Sequence, residues 1–362
     1  MILELLVEIQ REFKDFKLEV AFCAGEKTLG ILGPSGSGKS MTLRAIAGLE
    51  TPSRGRIVLN GRTLFDSKRG INLPSRKRRM GFLLQDYALF PHMTVAENIG
   101  FGLRHLSRHE AGKRVAEQLA RVQLQGLENR YPRQLSGGQQ QRAALARALA
   151  IDPEALLLDE PLSALDVHLR SQMEALLIET LSTFRGVSLY VTHNLEEAYR
   201  ISEEIVVISK GKEIALGPKE EIFRHPRTFT VAQVTGCKNF SRARRRSADE
   251  VEALDWGCQL RVCPPIQEDV DFVGIRAHHL SLSDAGEEVN TFPCELIRMI
   301  EGPFRMTLYL KLLTPEAPLA HHHLQAEITR EKWMSLKERP FPWQVRLEPE
   351  RIMLLHKDSA NG

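Results

Sequence analysis

The sequence predicts an α/β fold for residues 1–236, followed by a small all-β unit over residues 237–362. Three observations carry this. The apolar run Thr28-Leu29-Gly30-Ile31-Leu32 leads into Gly33-Pro34-Ser35-Gly36-Ser37-Gly38-Lys39-Ser40, then into helix-forming sequence up to Gly48. That is strand, glycine loop, helix. Ala155-Leu156-Leu157-Leu158 is a short continuous apolar run, as in a strand buried on both faces of a parallel sheet. After about Gly236 short strand-like runs alternate with turns.

At 362 residues, 43% of them hydrophobic, the chain is long enough for two domains with real cores. Its net charge of +3 is too small to argue for a nucleic-acid partner. No apolar run approaches the roughly 18–20 residues of a spanning helix. Met1-Ile2-Leu3-Glu4-Leu5-Leu6-Val7-Glu8 places Glu inside its apolar stretch and reads as a first strand, not a signal peptide. The expectation is a cytosolic chain, or one held at a membrane through a partner. Cys23, Cys237, Cys258, Cys263 and Cys294 form no C-x-x-C pair and are expected as free thiols, although Cys258 and Cys263 can meet across a hairpin.

The glycine loop has the spacing G-x-x-x-x-G-K-[ST] of a phosphate-binding P-loop. Gly36 and Gly38 allow a tight turn with successive N–H groups aimed at phosphate oxygens. The helix start adds its positive dipole end. Lys39 reaches the β- and γ-phosphates and the Ser40 hydroxyl suits Mg²⁺. A plain Gly/Ser turn before a helix would not require Lys and Ser there.

Residues 1–27 read as short strands. Phe13 or Phe16 can stack on an adenine face or simply pack in a strand. Arg56–Asn60 with Gly61 reads as a hairpin strand and turn. Pro74-Ser75-Arg76-Lys77-Arg78-Arg79 is a basic loop without interleaved aromatics, expected as a solvated face. Met80 to Leu84 is a buried-strand pattern ending at Gln85. Asp86 to Thr94 is a loop exit with exposed apolar groups, suited to docking. A helical insert is expected over about 94–150, with Thr94 and Glu97 in capping-box register. Within it, Leu135-Ser136-Gly137-Gly138-Gln139 puts a hydroxyl and bare N–H groups at a helix start, a second anion site. It lacks a lysine at P-loop spacing, so it can complete a nucleotide site only elsewhere. The plain alternative is a capped Gly-Gly loop.

Asp159 and Glu160 end the 155–158 strand, where nucleotide chemistry sits in parallel sheets. Asp159 suits Mg²⁺ through water, and Glu160 suits a general base for the attacking water. Ser163-Ala164-Leu165-Asp166 follows. Val187 to Thr192 is a further strand, and His193 at its end can bond a γ-phosphate or hold the water and Glu160. Ile205–Ile208 and Glu213–Leu216 flank a Lys210-Gly211 turn.

In this order, Gly33–Ser40, Gln85, Leu135–Gln139, Leu158-Asp159-Glu160, Ser163–Asp166 and His193 resemble the nucleotide-binding subunit of ABC transporters. The resemblance covers roughly residues 1–236. It implies an ABC-type P-loop ATPase with ATP and Mg²⁺. Gly33, Pro34, Ser35, Gly36, Ser37, Gly38, Lys39 and Ser40 become the Walker A loop, and Gln85 the Q-loop glutamine, touching Mg²⁺ or water. Ser136, Gly137, Gly138 and Gln139 become the signature that meets the γ-phosphate held by the opposite subunit. Asp159 and Glu160 are the Walker B aspartate and catalytic glutamate, Asp166 the D-loop acid and His193 the switch histidine. Phe13 is favoured over Phe16 as the adenine platform. The implied partners are a second copy, integral-membrane permease subunits and, indirectly, an extracytoplasmic solute-binding protein, with no nucleic acid. The implied location is peripheral, on the cytoplasmic face of the cell membrane.

Beyond residue 236, Arg242 to Ser247 reads as a basic linker or loop. Strand-like runs at Phe272–Arg276, Cys294–Arg298, Met306–Leu310 and Gln344–Leu347 suggest a small barrel. Gly274-Ile275-Arg276 with Leu280 resembles the OB-like, TOBE-type regulatory domain of importer ATPases, with Ala277-His278 in place of the usual Pro-Glu. His321-His322-His323 is expected as a polar loop, with a metal site as the alternative. Thr235 to Arg242 and Phe16-Lys17-Leu18 most resemble the molybdate/sulfate group of importers. That implies molybdate or tungstate first, sulfate second, iron or a sugar-type solute third. Two other classes fit less well. A soluble ABC-type ATPase acting on nucleic acid or ribosomes usually has a coiled-coil insertion or two cassettes, and a non-enzymatic switch would lack Glu160.

Overall fold

A computed structural model of the chain describes residues 3–358, apart from 264–265, 267–268, 284–287, 317 and 319–320. The chain divides into two compact units, 1–219 and 220–362. Residues 220–236, which precede the expected boundary, cluster with the second unit. Met1 and Ile2 of the expected first strand lie outside the described residues.

The first unit begins with β1 (Leu5–Glu12), β2 (Lys17–Ala24), β3 (Leu29–Leu32) and α1 (Lys39–Ala47). β4 (Arg54–Leu59), β5 (Arg62–Asp66) and β6 (Ile71–Asn72) form an antiparallel meander, and β7 (Met80–Leu83) follows. α2 (Val95–Gly100), α3 (Arg108–Arg121) and α4 (Gly137–Ala150) make the helical insert. β8 (Ala155–Asp159), α5 (Val167–Thr183), β9 (Val187–Val191), α6 (Leu195–Ile201), β10 (Glu204–Ser209) and β11 (Lys212–Pro218) complete the unit.

These strands form one sheet in the order β6-β5-β4-β1-β2-β11-β10-β3-β9-β8-β7. From β10 to β7 every pairing is parallel. Strands β3, β8 and β9 are buried along their whole length, as continuous apolar runs require when both faces are covered. In β8 the side chains alternate between two cores: Ala155 and Leu157 join α1, β1 and β2, while Leu156 and Leu158 join the helical insert. In β1 and β2 the buried pairs Val7↔Phe22 and Ile9↔Val20 lie in register. The hairpin at Asn60-Gly61 turns with both residues at positive φ, 51° and 77°, the geometry that matches strand twist. The insert starts as expected: Thr94 N–H donates to Glu97 Oε2 at 2.7 Å, and Glu97 N–H to Thr94 Oγ1 at 3.2 Å.

The basic loop departs from expectation. Arg76, Lys77 and Arg79 are exposed, but Arg78 is fully buried. Its guanidinium donates to the Ala45 and Ile46 carbonyls at 2.9 and 2.7 Å, to Leu73 O at 2.8 Å and to Asn72 Oδ1 at 3.0 Å. Arg78 thus gives the Ile46 carbonyl its donor, adds a second to Ala45 O beside Gly48 N–H, and favours the dipole of α1. Gly48 closes α1 in the left-handed conformation, and a Cβ there would collide with the Arg78 side chain. Sequence charge density could not distinguish this arginine from its solvated neighbours.

α7 (Lys219–Arg224) spans the division; the second unit continues with α8 (Phe229–Val234), then β12 (Asn239–Arg245), β13 (Glu250–Ala253), β14 (Cys258–Arg261), β15 (Phe272–Ile275) and β16 (Leu280–Ser283). β17 (Thr291–Glu301), β18 (Arg305–Leu312), β19 (Leu324–Thr329), α9 (Arg330–Leu336), β20 (Trp343–Leu347) and β21 (Met353–Leu355) follow. Among the described residues they form two antiparallel sheets, β14-β13-β12-β15-β21 and β16-β20-β17-β18-β19, sharing one core. These strands fit the expected all-β unit over 237–362, within which α9 is a short helix. The expected linker at Arg242 is strand, with Arg242 Nη2 2.7 Å from Asp255 Oδ1. The five cysteines are free thiols, and Cys258 and Cys263 do not join. In the His321–His323 run, His323 is buried; its Nδ1 accepts from Leu312 N–H at 3.0 Å and its Nε2 lies 3.1 Å from Pro318 O. His322 packs edge-on against Tyr309.

Replacing Arg78 with Met should cost about 2–4 kcal/mol, because buried carbonyls lose their donors. Urea unfolding followed by a probe in the first unit reads this as a lower midpoint; an unchanged midpoint would show that water takes over the arginine's bonds.

Candidate functional site

The parallel strands deliver the predicted residues to one edge. Gly33 follows β3, Gln85 follows β7, Asp159 and Glu160 end β8, and His193 follows β9. Loops at the carboxyl ends of parallel strands are where such sheets bind ligands.

Two glycines show why the loop after β3 has its composition. A Cβ on Gly33 would overlap the Ile208 carbonyl of β10, so only glycine lets the loop lie against that strand. Gly38 has φ 107°, and a Cβ there would press on Leu18 and Phe16. Lys39 is 7% exposed, and its Nζ donates to the Gly33 and Pro34 carbonyls at 2.9 Å each. Burial pulls its pKa down, with Glu160 and Asp159 pulling the other way.

Ser40 Oγ donates to Asp159 Oδ1 at 2.7 Å. Asp159 is buried, and desolvation holds its carboxyl above the usual range against the opposing effects of Ser40 and Arg44. A cleft of about 630 Å³ runs along Asp159, Gln85, Asp86 and Arg44. Ser40, Asp159 and Gln85 thus offer hydroxyl, carboxylate and amide oxygens, a hard donor set that fits Mg²⁺. Such an ion, when bound, would be held by these oxygens and would supply positive charge to offset that of phosphate groups.

A second cleft, about 540 Å³, runs from Phe13 and Phe16 past Ser35, Gly36 and Gly38 to Lys39, Ser40 and Glu160. That size suits a nucleotide-sized ligand. Phe13 is 40% exposed, 6.2 Å from Phe16, with the Arg11 guanidinium 4.9 Å from its ring. Phe16 instead packs partly buried against the core beneath the loop.

Glu160 Oε2 lies 3.0 Å from His193 Nδ1. Glu160 holds φ at 46°, a strained value for a residue with a side chain, and strain of this kind gathers at functional sites. Its N–H donates to Val191 O at 2.9 Å, and the Ser163 hydroxyl donates to its carbonyl at 2.9 Å. Its backbone is therefore held from both sides while the carboxylate faces the P-loop cleft.

The structure treats Ser136–Gln139 and Asp166 differently. Neither cleft is lined by them. Ser136 caps α4: Gln139 N–H donates to Ser136 Oγ at 3.3 Å and Ser136 N–H to Gln139 Oε1 at 3.0 Å. The serine–glutamine spacing is a capping box, a signal present in the sequence that explains both residues locally. Gly137 is exposed, with open space where a Cβ would point. Asp166 caps α5, accepting from Leu169 N–H at 3.0 Å. Sequence reasoning missed Arg44, which lines both clefts. Its spacing four residues after Ser40 on α1 was the available signal.

Two substitutions separate platform from packing. Phe13→Ala should weaken nucleotide binding by about 1–3 kcal/mol with little change in Tm. Phe16→Ala should lower Tm more than affinity. Fluorescent-nucleotide titration and thermal unfolding of both variants check this, and a reversed pattern would exchange the two roles.

Residues 17–163 match the family model described as ABC transporter. The chain is 50% identical over 216 residues to the sulfate/thiosulfate import ATP-binding protein CysA of Synechocystis, which is 59% of this chain and 58% of that protein. It therefore spans little more than half of that relative's length. It is 43% identical over 264 residues to the Fe(3+) ions import ATP-binding protein FbpC 1 of Pectobacterium atrosepticum, 72% of this chain and 73% of that one. Among solved structures, the bacterial ABC transporter cassette MJ0796, determined as a dimer, matches with TM-score 0.52 at 30% identity, covering 60% of this chain and 98% of the cassette. With the P-loop, the two acids and the histidine gathered on one edge, the chain belongs to the ABC transporter family and carries its ATPase unit.

Proposed function

We propose that this chain is the ATP-hydrolysing subunit of a bacterial importer, working as a pair of identical copies beneath a membrane permease. The observation that carries the reading is the split of its phosphate-binding parts. Lys39, Ser40, Asp159, Glu160 and His193 stand together, whereas the Ser136 helix start lines neither cleft. A two-fold pair would bring the helix start of one copy over the cradle of the other, twice.

Each residue then has a defined task. The loop N–H groups and Lys39 bind the β- and γ-phosphates, and Lys39 exchanges its two carbonyl partners for phosphate oxygens. Glu160 accepts a proton from the attacking water, and His193 holds Glu160 and the γ-phosphate in line. The partner's Ser136–Gln139 segment and Asp166 close the site. Loss of the γ-phosphate contact on hydrolysis lets the copies part, a two-state change that a permease can follow.

Among the described residues no helix is long and apolar enough to cross a membrane. Attachment is read here as running through a permease partner. The segment after Gln85 suits that task. Arg147 of α4 donates to Ala88 O at 2.6 Å and Tyr87 O at 2.8 Å, while the Phe90 and Phe101 rings meet at 4.5 Å on the half-exposed surface. The Gln85 loop is thus pinned to the helix that Ser136 caps, which links permease contact to the nucleotide site. The second unit is read as an OB-like, TOBE-type regulatory domain.

The solute is read as an oxyanion. The relatives named above import sulfate/thiosulfate and ferric ions, so sulfate or thiosulfate now stands ahead of the molybdate expected from the Thr235–Arg242 stretch. Ferric iron is the second reading, favoured by the coverage of the FbpC 1 match.

Glu160→Gln should retain ATP binding, accumulate the paired form in size-exclusion chromatography, and lose hydrolysis by about 100-fold or more. Phosphate release at the parental rate would remove Glu160 as the base. Lys39→Ala should lose nucleotide affinity; undiminished binding would mean that the cradle lies elsewhere.

A further inference from the structure

Glu197 is a buried carboxylate that the phosphate chemistry above does not use. It stands in the first turn of α6 and is 4% exposed. A charge is costly to bury unless its oxygens are engaged. Oε2 accepts from the Thr192 hydroxyl at 2.9 Å and the Tyr190 hydroxyl at 3.2 Å. Oε1 lies 3.9 Å from Arg170 Nε. The partners come from the end of β9 and from α5.

Two of these partners, Thr192 and Arg170, lead back to Glu160. The Thr192 hydroxyl gives its one proton to Glu197 and accepts the Asn194 N–H at 3.0 Å. That side-chain turn brackets His193, whose imidazole meets Glu160 at 3.0 Å. Asn194 Oδ1 in turn accepts from the Glu196 and Glu197 N–H groups at 3.0 and 3.3 Å. On the other side, Arg170 Nη2 donates to the Leu165 carbonyl at 3.2 Å, inside the Ser163–Asp166 loop that begins at Glu160. Glu197 therefore sits between the two segments that leave β8 and β9. The Arg200–Glu174 ion pair also joins α6 to α5, and Arg200–Glu196 lies within α6, but neither side-chain pair reaches Thr192 or the Leu165 carbonyl.

We propose that Glu197 is a positioning residue for hydrolysis, tying the His193 turn to the Ser163–Asp166 loop through Arg170 and so holding His193 on Glu160. The chemistry of the group explains why a carboxylate is needed. An ionised carboxylate only accepts, so both hydroxyls must point at it. Burial and the Glu197 charge keep Tyr190 in its neutral, donating form. An amide would add two donors, let the Thr192 hydroxyl turn away, and cease to attract Arg170.

The inference rests on the roles proposed for Glu160 and His193, and the test keeps the two apart. ATP binding, hydrolysis and Tm are measured on the full chain for Glu197→Gln, Arg170→Leu, the double variant and the near-isosteric Thr192→Val, with Glu160→Gln and Glu196→Gln as references. Glu197→Gln and Thr192→Val should lower kcat by about ten-fold or more, with ATP affinity within about two-fold. The double variant should be about as slow as the worse single one, because both act through one connection. The His193 imidazole NMR signals should move in Glu197→Gln and Thr192→Val and stay put in Glu196→Gln. Parental kcat in both Glu197→Gln and Thr192→Val, additive losses in the double variant, or affinity falling in step with kcat and Tm would overturn the proposal. If Glu197→Gln does not fold, Thr192→Val decides by the same criteria. Normal hydrolysis by Glu160→Gln would overturn the site assignment, and this proposal with it.

Discussion

The hydrogen bond from Ser40 Oγ to Asp159 Oδ1, 2.7 Å long, joins the start of α1 to the end of β8. Strand order makes that bond possible. β9 lies between β3 and β8, so the loop leaving β3 must cross the end of β9 before α1 can begin over Asp159. On its other side the same loop lies against the Ile208 carbonyl of β10, at the point where only Gly33 fits. The P-loop is therefore wedged between two strands that flank its own. Raising it from β10 would also move Ser40 off Asp159. At its far end, α1 is fixed by Arg78, whose guanidinium takes up the last carbonyls of the helix.

Burial gives this arrangement its electrostatic character. Desolvation lowers the Lys39 pKa and raises that of Asp159, and each charge partly restores the other. The lysine satisfies two donors on loop carbonyls and the aspartate takes a hydroxyl, so neither is left bare. Charges held this way have lost much of their hydration before any ligand arrives. Phosphate oxygens and a divalent cation would then replace neutral partners with charged ones, with less water to strip from these two groups. Glu160 is handled differently. Its backbone is strained and pinned, while its carboxylate shares a hydrogen bond with His193.

Much of this was legible in the sequence because it is local. Gly33–Ser40 carries its strand, loop and helix in one stretch, and Asp159, Glu160 and His193 each end an apolar run. The antiparallel hairpin at Asn60-Gly61 and the helix start at Thr94 were legible for the same reason. What escaped depends on contacts between distant segments. Arg78 looked like its neighbours in a basic run, and only packing against α1 distinguishes it. Arg44 needed the helical spacing from Ser40 to be followed one turn further. Glu197 stands beside Glu196 with no sequence feature to set it apart, yet it is buried because Tyr190, Thr192 and Arg170 converge on it. At Ser136–Gln139 the spacing contained a capping box as well as an anion-binding helix start. The clustering of residues 220–236 with the second unit draws on packing such as Ala232 of α8 against Cys237 and Leu355, which composition does not record.

The central claim is that two copies complete each other's site: the cradle of one meets the Ser136 helix start of the other. It is tested most directly by mixing two inactive variants, Lys39→Ala and Gly137→Asp. Gly137 is exposed with room for a side chain, so that substitution leaves the fold intact. Each variant alone has no complete site. A mixed pair has one, made from the intact cradle of the Gly137→Asp chain and the intact helix start of the Lys39→Ala chain. The account predicts that ATP hydrolysis returns on mixing. If the mixed pair forms and stays inactive, each site lies within a single chain and the account is wrong.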